Sequence, residues 1–228
     1  MVLNKKFTII LVGIGAFILP ASAQLRWGVE AGVNVSHAFE RSETKAGFNL
    51  SVTGEYAFAK HWFADAALKL SSQPCGDRSW LGVNYYDAPN SAPEYYVERD
   101  YTPYYLTLPV RVGYSFDASS KVKLSVAAGP MMGLGLWGKG HAKAVSYVTA
   151  EQPGKPVVTY DGKLGNIFKD VPYGYATSRF EYGANLRIAA TIADHYRIGA
   201  EYSILHIPGL DKSVDNVNVY SINIGYVF

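Results

Sequence analysis

The residues of this chain that most readily do chemistry are five histidines, several serines and a single cysteine. No two histidines stand at the spacing of metal ligands, and Cys75 has no second thiol with which to form a zinc site or an internal disulfide. Cys75 is either a reactive thiol or a loop residue without a chemical role, and the second interpretation is favoured. We therefore expect no metal site and no cofactor.

Two Ser–His pairs are close enough in sequence to suggest nucleophilic hydrolysis, which needs a base within hydrogen-bond reach of the nucleophile. They are Ser36 with His37, and Ser203 with His206. Both pairs fall in segments that alternate like strands, where residues one or three apart point to opposite faces. Neither pair can meet directly, so we expect the chain not to be an enzyme.

Charged residues recur on the polar side of alternating segments, with acids and bases in nearly equal number. If buried together they must pair, because an unpaired buried charge costs several kcal/mol. We expect a charge network formed by Glu30, Glu55, Asp65, Lys69, Arg111, Arg187, Arg197 and Glu201, with Lys123 and Glu181 on the same face. Inward-facing glycines such as Gly133 and Gly135 are expected to make room for large neighbours.

The N-terminus carries the signature of export. Lys5 and Lys6 precede an apolar segment at 7–19, and Ala21-Ser22-Ala23 predicts signal-peptide cleavage before Gln24. The apolar segment is shorter than the roughly 20 residues that a membrane-spanning helix needs. The whole chain has 21 Lys+Arg and 19 Asp+Glu, so removing Lys5 and Lys6 leaves a mature domain, 24–228, of zero net charge. Nothing in that balance indicates a nucleic-acid partner.

Period-2 alternation, the signal of β-strands, recurs through the mature chain. Eight segments show it, an even number as in single-chain outer-membrane barrels: 25–39, 46–58, 62–71, 104–116, 121–137, 179–192, 196–205 and 217–228. Short turns at 59–61, 117–120 and 193–195 alternate with connections of about 30 and 40 residues at 72–103 and 138–178. We therefore predict an all-β, eight-stranded antiparallel up-and-down transmembrane barrel, with periplasmic turns and extracellular loops.

Aromatic residues favour this barrel over a soluble one whose apolar face points inward. Tyr104 at one end and the pair Tyr114/Phe116 at the other bracket a segment that has only Leu and Val between them on its apolar face. Twelve steps of about 3.3 Å, tilted by about 45°, rise roughly 28 Å, which is close to the apolar band of an outer membrane. The predicted girdle residues are Trp27, Phe58, Trp62, Tyr104, Tyr114, Phe116, Tyr196, Tyr226 and Phe228, with Phe48, Phe180 and Tyr202 at the loop end.

Short motifs across the mature chain resemble the PorT-like family of small outer-membrane β-barrels. The segments concerned are 28–36, the Tyr-Leu-x-aliphatic-Pro strand at 105–109, and Ala128-Gly129-Pro130. The terminal Tyr226-Val227-Phe228 resembles the signal that the barrel-assembly machinery reads. The third strand departs from the family pattern, with Asp65-Ala66-Ala67 where many members have Pro-Glu. The resemblance implies an outer-membrane barrel and no single activity.

We expect a non-enzymatic barrel that anchors and presents its loops for binding or envelope organisation. Its expected partners are outer-membrane lipid, the assembly machinery during insertion, and an extracellular protein or glycan. The Tyr-rich segments at 85–86, 95–96 and 101–105 either bind that ligand or pack over the barrel mouth. A narrow transport or secretion-accessory barrel is the alternative, and a lipid-modifying enzyme is the third class.

Overall fold

The computed structural model describes residues 24–37, 43–82, 94–146, 157–169, 178–208 and 216–228. The predicted signal peptide and the pair Tyr85-Tyr86 lie outside the described residues. No helix in the described ranges is long and apolar enough to cross a membrane. The described chain forms ten strands: β1 (Gln24–His37), β2 (Glu43–Ala57), β3 (Trp62–Ser72), β4 (Cys75–Gly82), β5 (Glu94–Ser119), β6 (Val122–Ser146), β7 (Val157–Leu164), β8 (Phe180–Ile192), β9 (Tyr196–His206) and β10 (Val217–Val227).

Eight of these strands close into a ring, which confirms the predicted barrel. The ring runs β1-β2-β3-β5-β6-β8-β9-β10, and every pairing in it is antiparallel. It closes between the first and last strands, with Gly28 opposite Val227 and His37 opposite Asn218. Closure leaves no open edge inside the ring, as a sheet in hydrocarbon requires.

The side chains of the ring strands alternate between a mostly polar buried interior and an exposed apolar exterior. On β10, Ile222 and Ile224 are 62 % and 64 % exposed, whereas Asn223 between them is buried. On β5, Thr107 and Arg111 point inward and Val110 points outward. In water, so much exposed apolar surface would be unfavourable, but in lipid it is the arrangement that the solvent dictates.

Two of the turns lie where the sequence predicts them. The β8–β9 turn consists of residues 193–195, because Ile192 pairs with Tyr196, and Ala193 and Asp194 adopt φ of 50° and 62° in the left-handed region. The β2–β3 turn lies at 58–61. The third is shorter than predicted, because β5 continues to Ser119 and the turn is formed by Ser120 and Lys121. We call this end of the barrel the turn end, and the opposite end the loop end.

The two long connections, expected as loops, contain strands instead. The 72–103 segment forms β4 and the beginning of β5, and the 138–178 segment contains the end of β6 and β7. These parts pair as a sheet in the order β4-β5-β6-β7, continuous with the barrel at its loop end. The exposed row of apolar side chains used to find the membrane strands ends here, because the outward positions carry polar residues such as Lys139 and His141.

A β-bulge corrects the predicted faces of β6. Tyr104 lies opposite Trp137, but Tyr105 lies opposite Gly135, so Leu136 is the extra residue. The prediction placed Leu136 on the apolar outer face. The bulge instead gives the outer position to Trp137, which is exposed, and turns Gly138 inward.

Candidate functional site

The barrel interior holds a continuous chain of ion pairs that crosses the lumen. Acids and bases alternate along it, four of each, so that its formal charges cancel. In order, its members are Glu55, Arg197, Glu30, Arg187, Asp65, Arg111, Glu201 and Lys69. They come from β1, β2, β3, β5, β8 and β9, so the chain ties together strands on opposite walls.

The contacts along the chain alternate between close and longer ones. Arg197 lies 2.6 Å from Glu55 and 3.6 Å from Glu30. Arg187 lies 2.6 Å from Glu30 and 3.5 Å from Asp65. The chain continues from Asp65 through Arg111, at 2.6 Å, and from Arg111 to Glu201, at 3.5 Å, and it ends with the Lys69 ammonium on Glu201. The structure therefore brings all eight predicted interior residues into one network.

Neutral side chains fix the orientation of the charged ones. Arg111 donates from Nη1 to Asn185 Oδ1 at 2.7 Å, and Asn185 in turn donates to Ser203 at 2.8 Å. Arg197 Nε donates to Thr191 at 3.2 Å. Such hydrogen bonds offset part of the cost of burying the charges, although Arg111 Nη2 and Arg187 Nη1 have no hydrogen-bond partner among the described residues. Chemically, the arrangement fills and rigidifies the lumen, since each charge is already compensated by a protein partner.

Glu181 is buried at the loop end of the interior without a basic partner among the described residues. Its Oε1 accepts a hydrogen bond from the Gln73 amide at 3.2 Å, and its Oε2 has no hydrogen-bond partner. Room for the side chain comes from Gly133 on the neighbouring strand, since a Cβ there would lie 2.5 Å from Glu181 Oε1. The predicted role of Gly133 is thereby confirmed. Glu181 itself lies outside the ion-pair chain.

The mouth above this region is closed by a short segment that follows β7. Ile167 is fully buried, and the ring of Phe168 packs edge-on against Tyr105 at 5.6 Å. Glycines on β6 leave the space, because a Cβ at Gly135 or Gly138 would lie 2.4 Å from Phe168 or Ile167. We call Ile167 and Phe168 the mouth plug. The Arg179 guanidinium covers its outer side, 5.4 Å from the Phe168 ring centre.

Little in the sequence indicates the mouth plug. Ile167 and Phe168 lie in a segment without alternation, and only the inward glycines of β6 hinted at a large neighbour. The packing also decides between the two roles considered for part of the Tyr-rich segment. Tyr105 is buried beneath the plug and Tyr101 packs against the same cluster, so these two rings fill the mouth.

Aromatic side chains form a ring on the outer surface at each end of the barrel. At the turn end, Trp62 packs edge-on against Tyr114 at 5.4 Å, and Tyr196 contacts Tyr226 at 5.7 Å. At the loop end, Tyr104 stacks on Trp137 at 4.9 Å. Trp27, Phe58, Phe116 and Phe228 are exposed at the turn end, and Phe48, Phe180, Tyr182, Tyr202 and Tyr220 share the loop end. Trp137, Tyr182 and Tyr220 were not among the predicted girdle residues.

The residues considered for catalysis do not come together. Ser36 donates to the Pro74 carbonyl inside the barrel. Ser203 is buried beside Asn185, whereas His206 lies on the outer surface, 5.2 Å from the Tyr182 ring. Cys75 is half-buried against an apolar cluster. In the described part of the chain, no three His, Cys, Asp or Glu side chains converge as metal ligands.

Several solved outer-membrane structures are similar to this chain. Ail, the attachment invasion locus protein of Yersinia pestis, is 14 % identical, with 90 % of this chain and 97 % of Ail covered at a TM-score of 0.37. Neisserial surface protein A shows the same identity, coverage and TM-score. The outer-membrane enzyme PagL is 12 % identical, with 87 % of this chain and 97 % of PagL covered at a TM-score of 0.35. No curated protein matches the chain.

A family model supplies the assignment. It describes the outer membrane protein beta-barrel domain, and it matches residues 9–228, nearly the whole chain. The match agrees with the closed ring and the apolar outer surface. The chain therefore belongs to the family of outer-membrane β-barrel proteins.

Proposed function

We propose that the protein is a non-enzymatic anchor in the outer membrane that presents a β-sheet outside the cell, for binding or envelope organisation. The observation that carries this proposal is the combination of a filled lumen with strands much longer than the membrane. A transmembrane strand needs about 9–11 residues, whereas β5 and β6 have 26 and 25.

The surplus length of β5 and β6 lies at the loop end. Glu94 lies ten steps along the strand from the girdle residue Tyr104, so the strand rises about 23 Å above that ring at the usual pitch and tilt. Together with β4 and β7 this extension forms a four-stranded sheet. We call it the extracellular sheet. The mouth plug packs against its base through Tyr101 and Tyr105, which supports a rigid platform.

The filled lumen argues against solute passage. An eight-stranded barrel has an interior just wide enough for side chains, and here those side chains pair with one another across it.

The PorT-like subfamily assignment rests on the short motifs at 28–36, 105–109 and 128–130 and belongs to the same proposal.

The test compares the full protein with a shortened one, in which 77–99 and 142–162 are each replaced by a two-residue turn. Both should insert in the outer membrane and migrate as heat-modifiable bands. Cells carrying the full protein should bind to immobilised glycans or matrix proteins, and cells carrying the shortened barrel should not. Purified full protein should show no conductance steps in planar bilayers.

Three outcomes would overturn the proposal. Stepwise conductance would favour the transport alternative. A change in lipid A or phospholipid turnover that depends on the protein would favour an enzyme. Equal binding by cells with the full and shortened proteins would remove the role assigned to the extracellular sheet.

A further inference from the structure

The outer face of the extracellular sheet carries cations directly above the loop-end girdle. Lys139 lies two residues beyond Trp137 on β6 and on the same face, and both side chains are exposed. Lys163 on β7 is exposed beside it, since its register partner is His141, two residues beyond Lys139. Such diagonal neighbours have Cα atoms about 7–8 Å apart, so two lysine side chains there can reach one anion.

The acids near these lysines are already engaged. Asp100 is paired with Lys45, and Asp161 lies 3.0 Å from His141. Among the described residues, neither Lys139 nor Lys163 has an acidic side chain within ion-pair distance. On the β7 side, the position next to Lys139 is open, because a Cβ at Gly165 would meet nothing within 4 Å. The pair is therefore an accessible positive site in which neither lysine has an acidic partner of its own among the described residues.

The height of the two lysines relates them to the membrane surface. The stacked Trp137 and Tyr104 rings mark the apolar boundary, where such rings concentrate. At the pitch and tilt used above, Lys139 lies about 5 Å and Lys163 about 9 Å beyond that boundary. Lysine side chains also bend along apolar surface to reach the interface. Both ammonium groups thus reach the layer of lipid headgroups.

We propose that Lys139 and Lys163 form a clamp for the phosphate groups of lipid A in the outer leaflet. The clamp rests on the orientation assumed in the proposed function, with the loop end outside. A phosphate offers several acceptor oxygens, and charge-assisted hydrogen bonds from two ammonium groups are stronger than neutral ones. Bound there, lipid A would hold the base of the extracellular sheet at the membrane surface.

The test uses full-length protein folded in neutral detergent micelles, with bound lipid counted by native mass spectrometry. Bis-phosphorylated lipid A and its dephosphorylated form are the probes. Each lysine near an anionic surface contributes about 1 kcal/mol, roughly fivefold in affinity. We expect the double variant Lys139→Gln/Lys163→Gln to bind the phosphorylated form about 30-fold more weakly, and the dephosphorylated form as wild type does.

The chain offers a matched control with the same change in charge. Lys60 and Lys121 are exposed at the turn end, and Lys60→Gln/Lys121→Gln should leave the affinity unchanged. A Lys139→Arg/Lys163→Arg variant should retain binding, and heat-modifiability checks that each variant is folded. The clamp would be overturned if both Gln double variants lost the same affinity for phosphorylated lipid A, or if Lys139→Gln/Lys163→Gln lost none. It would also be overturned if inorganic phosphate or a soluble sulfated glycan bound as tightly and displaced lipid A. None of these results depends on whether the extracellular sheet binds glycans or matrix proteins.

Discussion

At the scale of single residues, the interior charges should matter according to their burial and their partners. Arg111 is fully buried and contacts Asp65, Glu201 and Asn185. The variant Arg111→Met leaves the buried carboxylates with one cation too few, so we expect a loss of about 3–5 kcal/mol in the free energy of unfolding. This loss is measured as a lower urea midpoint of the folded protein in micelles.

The control for Arg111 is an ion pair near the surface. Lys45 and Asp100 are paired, but their side chains are 29 % and 48 % exposed. Lys45→Met should therefore cost at most about 1 kcal/mol. If the two variants lost equal stability, the ion-pair chain would not be the stabilising element that its geometry indicates.

Glu181 should behave differently from Glu201, although both are buried acids of the same wall. Glu201 contacts Lys69 and Arg111, whereas Glu181 has only the Gln73 amide. We expect Glu181→Gln to leave the urea midpoint unchanged or higher, because it removes a buried acid without a basic partner. Glu201→Gln should lower the midpoint. A large loss in Glu181→Gln would mean that a basic partner lies within reach.

At the scale of elements, the glycines of β6 should keep the mouth plug in place. A Cβ at Gly138 would lie 2.4 Å from Ile167, so Gly138→Val should expel the plug while the ring of eight strands persists. A Phe168→Cys probe, which leaves Ile167 in place, in a Cys75→Ser background should then react with an impermeant maleimide, which it should not do without the Gly138 change. Gly165→Val is the control, since its Cβ meets open space. Equal labelling in the two variants would contradict the packing role of Gly138.

At the scale of the whole molecule, the C-terminus should serve assembly more than stability. Phe228 is 70 % exposed at the turn end, and its amide donates to Trp27 on the first strand at 2.7 Å. Tyr226-Val227-Phe228 resembles an assembly signal, so deleting Phe228 should reduce the yield of inserted barrel more than it lowers the urea midpoint. Trp27→Ala, a change of a girdle residue on the neighbouring strand, should lower the urea midpoint and leave the yield of inserted barrel unchanged. Normal yield with a lowered midpoint would leave Phe228 as a girdle residue only.

The ring of eight strands could be read from the sequence because lipid imposes a simple rule along each strand. Val33 and Asn34, or Ile222 and Asn223, show it directly: the apolar residue must face hydrocarbon and its neighbour the interior. The same parity assigned Asp65, Arg111 and Glu201 to the interior. Strand pairing then follows from short turns and from the need to close the sheet.

The partners inside the barrel were settled only by the tertiary structure. The alternation along each strand predicts that Glu30 and Arg187 point inward. Their contact joins residues on β1 and β8, so it is determined by the strand register and the curvature of the barrel. The extracellular sheet was missed because its outward residues, such as Lys139 and His141, are polar, so the exposed apolar row that marks a membrane strand is absent. The bulge at Leu136 was missed because nothing in the composition of the segment marks one extra residue. The burial of Ile167 and Phe168 depends on glycines that are distant in sequence. A strand in lipid is determined by its own alternation, whereas an ion pair or a plug is determined by what the closed barrel places opposite it.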